Sequence, residues 1–405
     1  MLMINYEKFF SSNAKGMKKS EIRELLKLTN KPGIISFAGG LPAPDLFPVE
    51  GIKEIAQYVL EKEGKQALQY GQTEGVYSLR EQLLKFLNEN GIDIPIEQLI
   101  VTTSSQQGLD LIAKIFVDPG DIIMTGNPTY LGAIQAFNAY GAKMKGIELD
   151  NNGMNIEMLD REIKKFIDIG KKPKFIYVIP DFQNPSGITM NLERRKKLIE
   201  VAEKYDLIIL EDSPYRQLRF EGEAEPPLIS LNSERVISIY TFSKILLPGF
   251  RLGWMVGPKE LIQKVIIAKQ STDLCSPPFN QYILAEFIKR GLLKKQISKI
   301  VFAYREKKDF MLDKLQKYMP ELEGLTWTAP EGGLFLWVTL PKYMDIAEMF
   351  EKAVKRNIAY VVGTAFYPNE GGKNSCRLNF SYASMEQIDE GIKRFGDLVK
   401  EWNKK

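Results

Sequence analysis

The sequence predicts an α/β protein: a large domain with a mostly parallel sheet between helices, followed by a smaller α+β domain. Three observations predict it. Short apolar runs rich in Ile and Val recur through the middle of the chain. Helical patterns separate several of them, as a parallel sheet covered on both faces requires. A second group of strand-like runs begins only after a long helical stretch.

The elements follow in chain order. "KKSEIRELLKLT", residues 18 to 29, reads as an amphipathic helix with Ser20 as N-cap and Ile22, Leu25, Leu26 and Leu28 on its apolar positions. "ISFAGGLPAPDLFP" carries glycines and prolines that forbid a helix and mark an ordered loop. Helices are expected near 49 to 63 and 78 to 90. The buried strands are "LIVTTS" near 99, "IIMTG" near 122, "KFIYVIP" near 174, "LIILED" near 207, "VISIY" near 236 and "LGWMVG" near 252. "GLDLIAKIF" and "LERRKKLIEVAEKY" are helical patterns between them, and "EGEAEPPL" is a polar surface loop. From "SPPFNQYILAEF" to "DFMLDKL" one long helical periodicity leads out of the first domain. "GLTWTAPEGGLFLWVTLP", "IAYVVG" and "SCRLNFSY" supply the strands of the second. The domain division is 1–45 for an N-terminal helix and loop that covers the site, 46–290 for the large domain and 291–405 for the small one.

Composition narrows the function. A net charge of +4 on 405 residues, with no basic stripe, argues against nucleic acid. No apolar run approaches a membrane span, and "MLMINYEKFF" lacks the long apolar stretch of a secretory signal. Cys275 and Cys376 stand far apart and match no metal spacing, so a reducing cytoplasm and no metal are expected. The chain contains no histidine. Ser-His-Asp and Cys-His mechanisms are therefore excluded, and a general base has to be Lys, Asp, Glu, Tyr or Cys.

Ligands of such sheets bind beyond the carboxyl ends of the strands. Four strand ends carry unusual residues. "SSQQGLDL" brings hydroxyls to the start of a helix, where free amides and the dipole favour an anion. "DFQNPSG" holds Asn184, "EDSPY" holds Asp212 and Tyr215, and "TFSK" holds Thr241, Ser243 and Lys244 with Arg251 just beyond. Singly, each has a plain structural reading as a cap, a turn or a solvated lysine. Neither a dinucleotide fingerprint nor a P-loop is present.

In this order and spacing the motifs "NPSG", "EDSPY", "SK" with "PGFRLGW", and "CRLNF" resemble fold-type-I pyridoxal-phosphate enzymes, the aspartate aminotransferase superfamily, over nearly the whole chain. The N-terminal "RELLKL" and "GIISFAGGLPAPDLFP" are most similar to α-aminoadipate and related broad-specificity aminotransferases. The resemblance implies a seven-stranded sheet in the large domain and pyridoxal 5′-phosphate as cofactor. It implies Lys244 as Schiff-base lysine and proton shuttle, which needs a neutral amine favoured by burial and nearby cations. Asp212 would hold the ring nitrogen protonated, and Tyr215 and Asn184 would bond the phenolic oxygen. Ser104, Ser105, Gln106, Thr241, Ser243 and Arg251 would hold the phosphate, and Tyr130 would stack on the ring. Arg377 would take the substrate α-carboxylate as a fork, helped by Asn184, with Gly39 and Gly40 allowing close approach. Tyr70 would come from the other subunit of a homodimer with shared sites.

The reaction implied is amino transfer between L-amino acids (2-aminoadipate, glutamate, leucine or aromatic donors) and 2-oxoacids such as 2-oxoglutarate. A lyase on the same scaffold and an aminotransferase-like regulator are the alternatives. Two departures matter. The segment 268 to 281, "AKQSTDLCSPPFNQ", lacks the arginine that aspartate-specific relatives use for a distal carboxylate. Thr241 stands where serine is commoner. Ser20 and Arg23 share a helix face, so Arg23 on a movable helix is a candidate for that carboxylate, and a surface pair with Glu24 is the plainer reading.

Overall fold

The computed structural model describes residues 4–17 and 33–404. The expected helix at 18–29, with Ser20 and Arg23, lies outside the described residues. The large sheet has the order Leu99–Thr102, Gly253–Val256, Val236–Thr241, Ile208–Asp212, Phe175–Val178, Ile122–Asn127, Lys143–Asp150, Gly153–Met154. The run from Val236–Thr241 to Lys143–Asp150 is parallel throughout. Gly253–Val256 is antiparallel to both its neighbours. Every residue of Phe175–Val178 and Val236–Thr241 is buried, which is why these strands read as unbroken apolar runs.

Among the described residues the sheet therefore has eight strands where seven were expected. The eighth is the two-residue strand Gly153–Met154, folded back on Leu149–Asp150. Asp150 Oδ1 accepts from the Asn152 amide at 2.8 Å and fixes the turn. Two residues show no periodicity, so the sequence pattern could not reveal this strand.

The helices Val49–Ala67 and Tyr77–Glu89 form where expected. The long helical periodicity is broken into Pro278–Lys289 and Leu292–Tyr318. The break is at Gly291, whose φ of +70° is left-handed and ends the first helix. The second sheet is antiparallel, in the order Thr326–Trp327, Phe335–Thr339, Ser375–Asn379, Val361–Val362. "IAYVVG" is split. Ile358–Ala359 leaves that sheet and pairs in parallel with Ile35–Ser36, so the N-terminal segment is stitched to the C-terminal part. Asn379 and Phe37 continue the stitch with an amide-to-carbonyl bond of 2.9 Å. No helix among the described residues is long and apolar enough to cross a membrane.

Candidate active site

Strand pleating sorts the two carboxylates of "EDSPY", because neighbouring residues face opposite sides. Glu211 is fully buried and accepts from the amides of Leu228 and Ile229 at 2.9 and 3.3 Å and from the Ser238 hydroxyl. It caps a short helix. Asp212 has a different environment. Its Oδ2 accepts from the Tyr177 hydroxyl at 2.8 Å, and its Oδ1 is buried without a partner among the described residues. Burial pushes the Asp212 carboxyl up to about 7, against the Tyr177 hydrogen bond and the Lys244 charge.

Lys244 lies just past the end of Val236–Thr241 and donates to the Gly40 carbonyl at 2.7 Å. Loss of solvation lowers its amine to about 8, helped by the charges of Arg377 and Arg251 and opposed by Asp212. Arg377, in the second sheet, donates from Nη1 to Asn184 Oδ1 at 2.9 Å and from Nη2 to the Ala38 carbonyl at 2.8 Å. Among the described residues its Nε has no partner and no carboxylate pairs with it. The guanidinium lies 4.1 Å from the Phe335 ring centroid, and burial lowers it to about 10. Asn184 also donates to the Tyr215 hydroxyl at 3.1 Å, and Tyr215 meets Phe335 edge-on at 5.7 Å. Burial pushes the Tyr215 phenol up.

A hydroxyl cluster stands at the start of helix Ser104–Phe116. The Ser104 oxygen is 3.2 Å from Thr241 Oγ1 and 3.3 Å from Ser243 Oγ, and Thr241 and Ser243 are 2.9 Å apart. Gly253 packs against this turn. A Cβ there would lie 2.4 Å from the Tyr240 carbonyl oxygen and 3.0 Å from the Ser105 nitrogen, so only glycine allows the approach. Ser105 and Gln106 follow in the first turn. The Gln106 side chain is bonded to the Gly132 carbonyl at 3.0 Å and to the Tyr130 hydroxyl at 3.4 Å, so it ties the Tyr130 turn to this helix. Arg251 is exposed, in a left-handed conformation, with Nη1 3.4 Å from the Pro248 carbonyl.

Thus Lys244, Asp212, Tyr215, Asn184, Arg377, Gly40 and the hydroxyl cluster come together, with Gly39 beside Gly40. Tyr70 does not join them within one chain; it is 79% exposed. Sequence reasoning missed Tyr177 and Phe335. A tyrosine in a continuous apolar strand was the available signal, since a buried phenol needs a hydrogen-bond partner. It also missed the support under the helix start. Lys269, fully buried, donates to Asp273 at 2.7 Å and to Gln107 at 2.9 Å, and Asp273 accepts from Thr103 at 2.9 Å.

The arrangement offers a nucleophilic amine kept near neutrality, a buried carboxylate with one open oxygen, an anion cradle and a buried guanidinium that no carboxylate neutralises among the described residues. The family model described as "Aminotransferase class I and II" matches residues 34–395. The chain is 51% identical to aromatic-amino-acid aminotransferase 1 of Thermococcus litoralis, over 99% of this chain and 96% of that one. The crystal structure of a multiple substrate aminotransferase from Thermococcus profundus superposes with a TM-score of 0.94 at 47% identity, covering 99% and 100% of the two chains. The α-aminoadipate aminotransferase of Thermus thermophilus, solved with N-(5′-phosphopyridoxyl)-L-leucine, gives a TM-score of 0.91 at 36% identity, over 99% and 100%.

Proposed function

The chain belongs to the class I and II aminotransferases and is a pyridoxal 5′-phosphate enzyme; from that premise we propose that it exchanges the amino group of an L-amino acid with the oxo group of a 2-oxoacid such as 2-oxoglutarate, in a ping-pong cycle carried by Lys244. One observation carries the reading: Lys244, Asp212 and Arg377 share one site, in which Asp212 Oδ1 and Arg377 Nε are buried without partners among the described residues. Buried polar atoms are costly to leave unpaired, so this site is built for a ligand with a cationic and an anionic end.

The residues fit the cofactor. Ser104, Thr241 and Ser243, with the amides of Ser105 and Gln106 and the charge of Arg251, suit a phosphate. Gly253 keeps that cradle close to the sheet. Asp212 suits a protonated ring nitrogen, Tyr130 the ring face, and Tyr215 with Asn184 the phenolic oxygen. When bound, the cofactor supplies an aldehyde carbon for amines and a ring that accepts the electron pair left at the substrate Cα. The chain does the rest. Arg377 and Asn184 hold the substrate α-carboxylate. Lys244, neutral above about pH 8 in the free protein, is the amine that would hold the cofactor's aldehyde carbon, and once displaced by substrate it would move the Cα proton.

The donors we assign are aromatic and aliphatic amino acids together with glutamate and 2-aminoadipate. The relatives named for aromatic, multiple and α-aminoadipate substrates support that breadth. So does Lys269. It is the one cation in 268 to 281, and its ammonium is fully engaged by Asp273 and Gln107, so this stretch offers no charge to a distal carboxylate. We assign residues 46–290 and 291–405 to the large and small domains, with 1–45 belonging to the small one; the pairing of Ile35–Ser36 with Ile358–Ala359 supports this. The active form is a homodimer in which Tyr70 of the partner subunit reaches the phosphate. Leu68, Tyr70 and Tyr77 are large exposed side chains close together in sequence, which a second copy would cover.

Absorbance of the purified holoenzyme tests the proposal. Adding phenylalanine, leucine, glutamate or 2-aminoadipate should convert the cofactor band, and 2-oxoglutarate should restore it. A band that no amino acid converts would sink amino transfer.

A further inference from the structure

Tyr177 is unusual for a residue in the centre of a parallel sheet. It is fully buried in the strand Phe175–Val178, opposite Leu210 of Ile208–Asp212. Its ring is held edge-on by Phe137 at 5.4 Å. Its hydroxyl donates to Asp212 Oδ2 at 2.8 Å, the one hydrogen bond the Asp212 side chain makes among the described residues. Burial and the neighbouring Asp212 charge push the phenol well above its ordinary value, so it stays a donor at working pH. Glu211, one residue earlier, is saturated by Leu228, Ile229 and Ser238. The two carboxylates thus differ in a way that leaves a single open oxygen, Asp212 Oδ1, in the site.

A carboxylate meeting a pyridine nitrogen shares one proton with it. Where that proton rests depends on which group is the stronger base. Desolvation makes Asp212 a stronger base, and a hydrogen bond donated to its ionised form makes it a weaker one. Among the described residues the only such donor is Tyr177. We propose that Tyr177 is a positioning residue that fixes Asp212 through Oδ2, leaves Oδ1 to meet the cofactor's ring nitrogen, and so keeps the shared proton on the ring. The inference rests on the reading that Asp212 faces that nitrogen. It adds a residue whose hydroxyl need not touch cofactor or substrate.

The test uses holoenzyme reconstituted with cofactor carrying nitrogen-15 in the ring, whose chemical shift reports protonation directly. In the unaltered protein the ring nitrogen is protonated through neutral pH. In Tyr177→Phe, which keeps the ring packing, the proton moves from the ring toward Asp212 by about ten- to a hundredfold in the transfer equilibrium, the equivalent of one hydrogen bond to a charged group, so the chemical shift at neutral pH moves toward the unprotonated value. A fluorinated tyrosine at the same position, a stronger donor, leaves the ring nitrogen at least as protonated at neutral pH as in the unaltered protein. Thermal melting of each apoprotein checks the fold. An unprotonated nitrogen in the unaltered protein overturns the placement of Asp212 itself. A ring nitrogen equally protonated at neutral pH in all three proteins overturns the role of Tyr177 alone. Shifts of the same sign in the phenylalanine and fluorotyrosine proteins also overturn it, because they would report packing and not donor strength.

Discussion

Arg377 Nη1 donates to Asn184 Oδ1 at 2.9 Å, and this bond joins the antiparallel sheet to the loop that leaves the centre of the large one. Its Nη2 bond to the Ala38 carbonyl adds the N-terminal segment. One planar guanidinium therefore fixes three pieces of chain around the place where Lys244 ends.

Arg377→Lys separates charge from geometry. A lysine keeps the charge but cannot hold Asn184 and Ala38 and still present a fork. KM for amino-acid donors should rise about ten- to a hundredfold, the equivalent of roughly 1.5–3 kcal/mol. Cofactor affinity, measured by titrating apoprotein, should change little. An unchanged KM would remove Arg377 from substrate binding.

Lys244→Ala should abolish turnover while cofactor still binds without a covalent link, because the hydroxyl cluster and Asp212 are separate from the lysine. In the unaltered apoprotein, covalent capture of the cofactor should quicken as pH rises through about 8, where the amine loses its proton. The sign for stability is the same. The folded amine binds its proton less tightly than the unfolded one, so apoprotein stability should rise with pH between about 8 and the ordinary lysine value of about 10.4. Stopped-flow absorbance and denaturant titrations at several pH values check both. A capture rate flat from pH 7 to 10 would argue against a depressed Lys244.

Asp181→Ala should cost roughly 3–5 kcal/mol of stability, the range for breaking a buried pair. Asp181 accepts from Arg195 at 2.7 Å and from Arg216 at 3.0 Å, and all three side chains are buried. It lies three residues before Asn184, and Arg216 follows Tyr215, so the pair also steadies two site residues. Burial pushes the Asp181 carboxyl up, but the two guanidinium groups outweigh it and hold the group below its usual range. Its contribution is therefore full above about pH 4 and lost as pH falls further. Urea unfolding at pH 7 and pH 3 measures it; equal losses in the variant at both pH values would contradict the assignment.

Much of the site was legible because its parts are local. Thr241, Ser243 and Lys244 share one turn after an apolar strand, and "NPSG" and "EDSPY" each follow a strand of their own. Periodicity and turn chemistry mark such strand ends without any tertiary information. The pairings between them were not legible. Tyr177 and Asp212 are 35 residues apart, Asn184 and Arg377 are 193 apart, and Gly40 and Lys244 are 204 apart. Alternation along a strand says which face a residue takes, and nothing about which element supplies the other half of the contact. The two-residue strands Ile35–Ser36 and Gly153–Met154 are too short to show a period, and the break at Gly291 hides inside a continuous apolar pattern. The sequence by itself determined the fold class, the family and the chemistry-bearing residue types. Only the tertiary structure decided what each carboxylate of "EDSPY" pairs with, and which tyrosine holds Asp212, because sheet order and packing are set by contacts between distant segments.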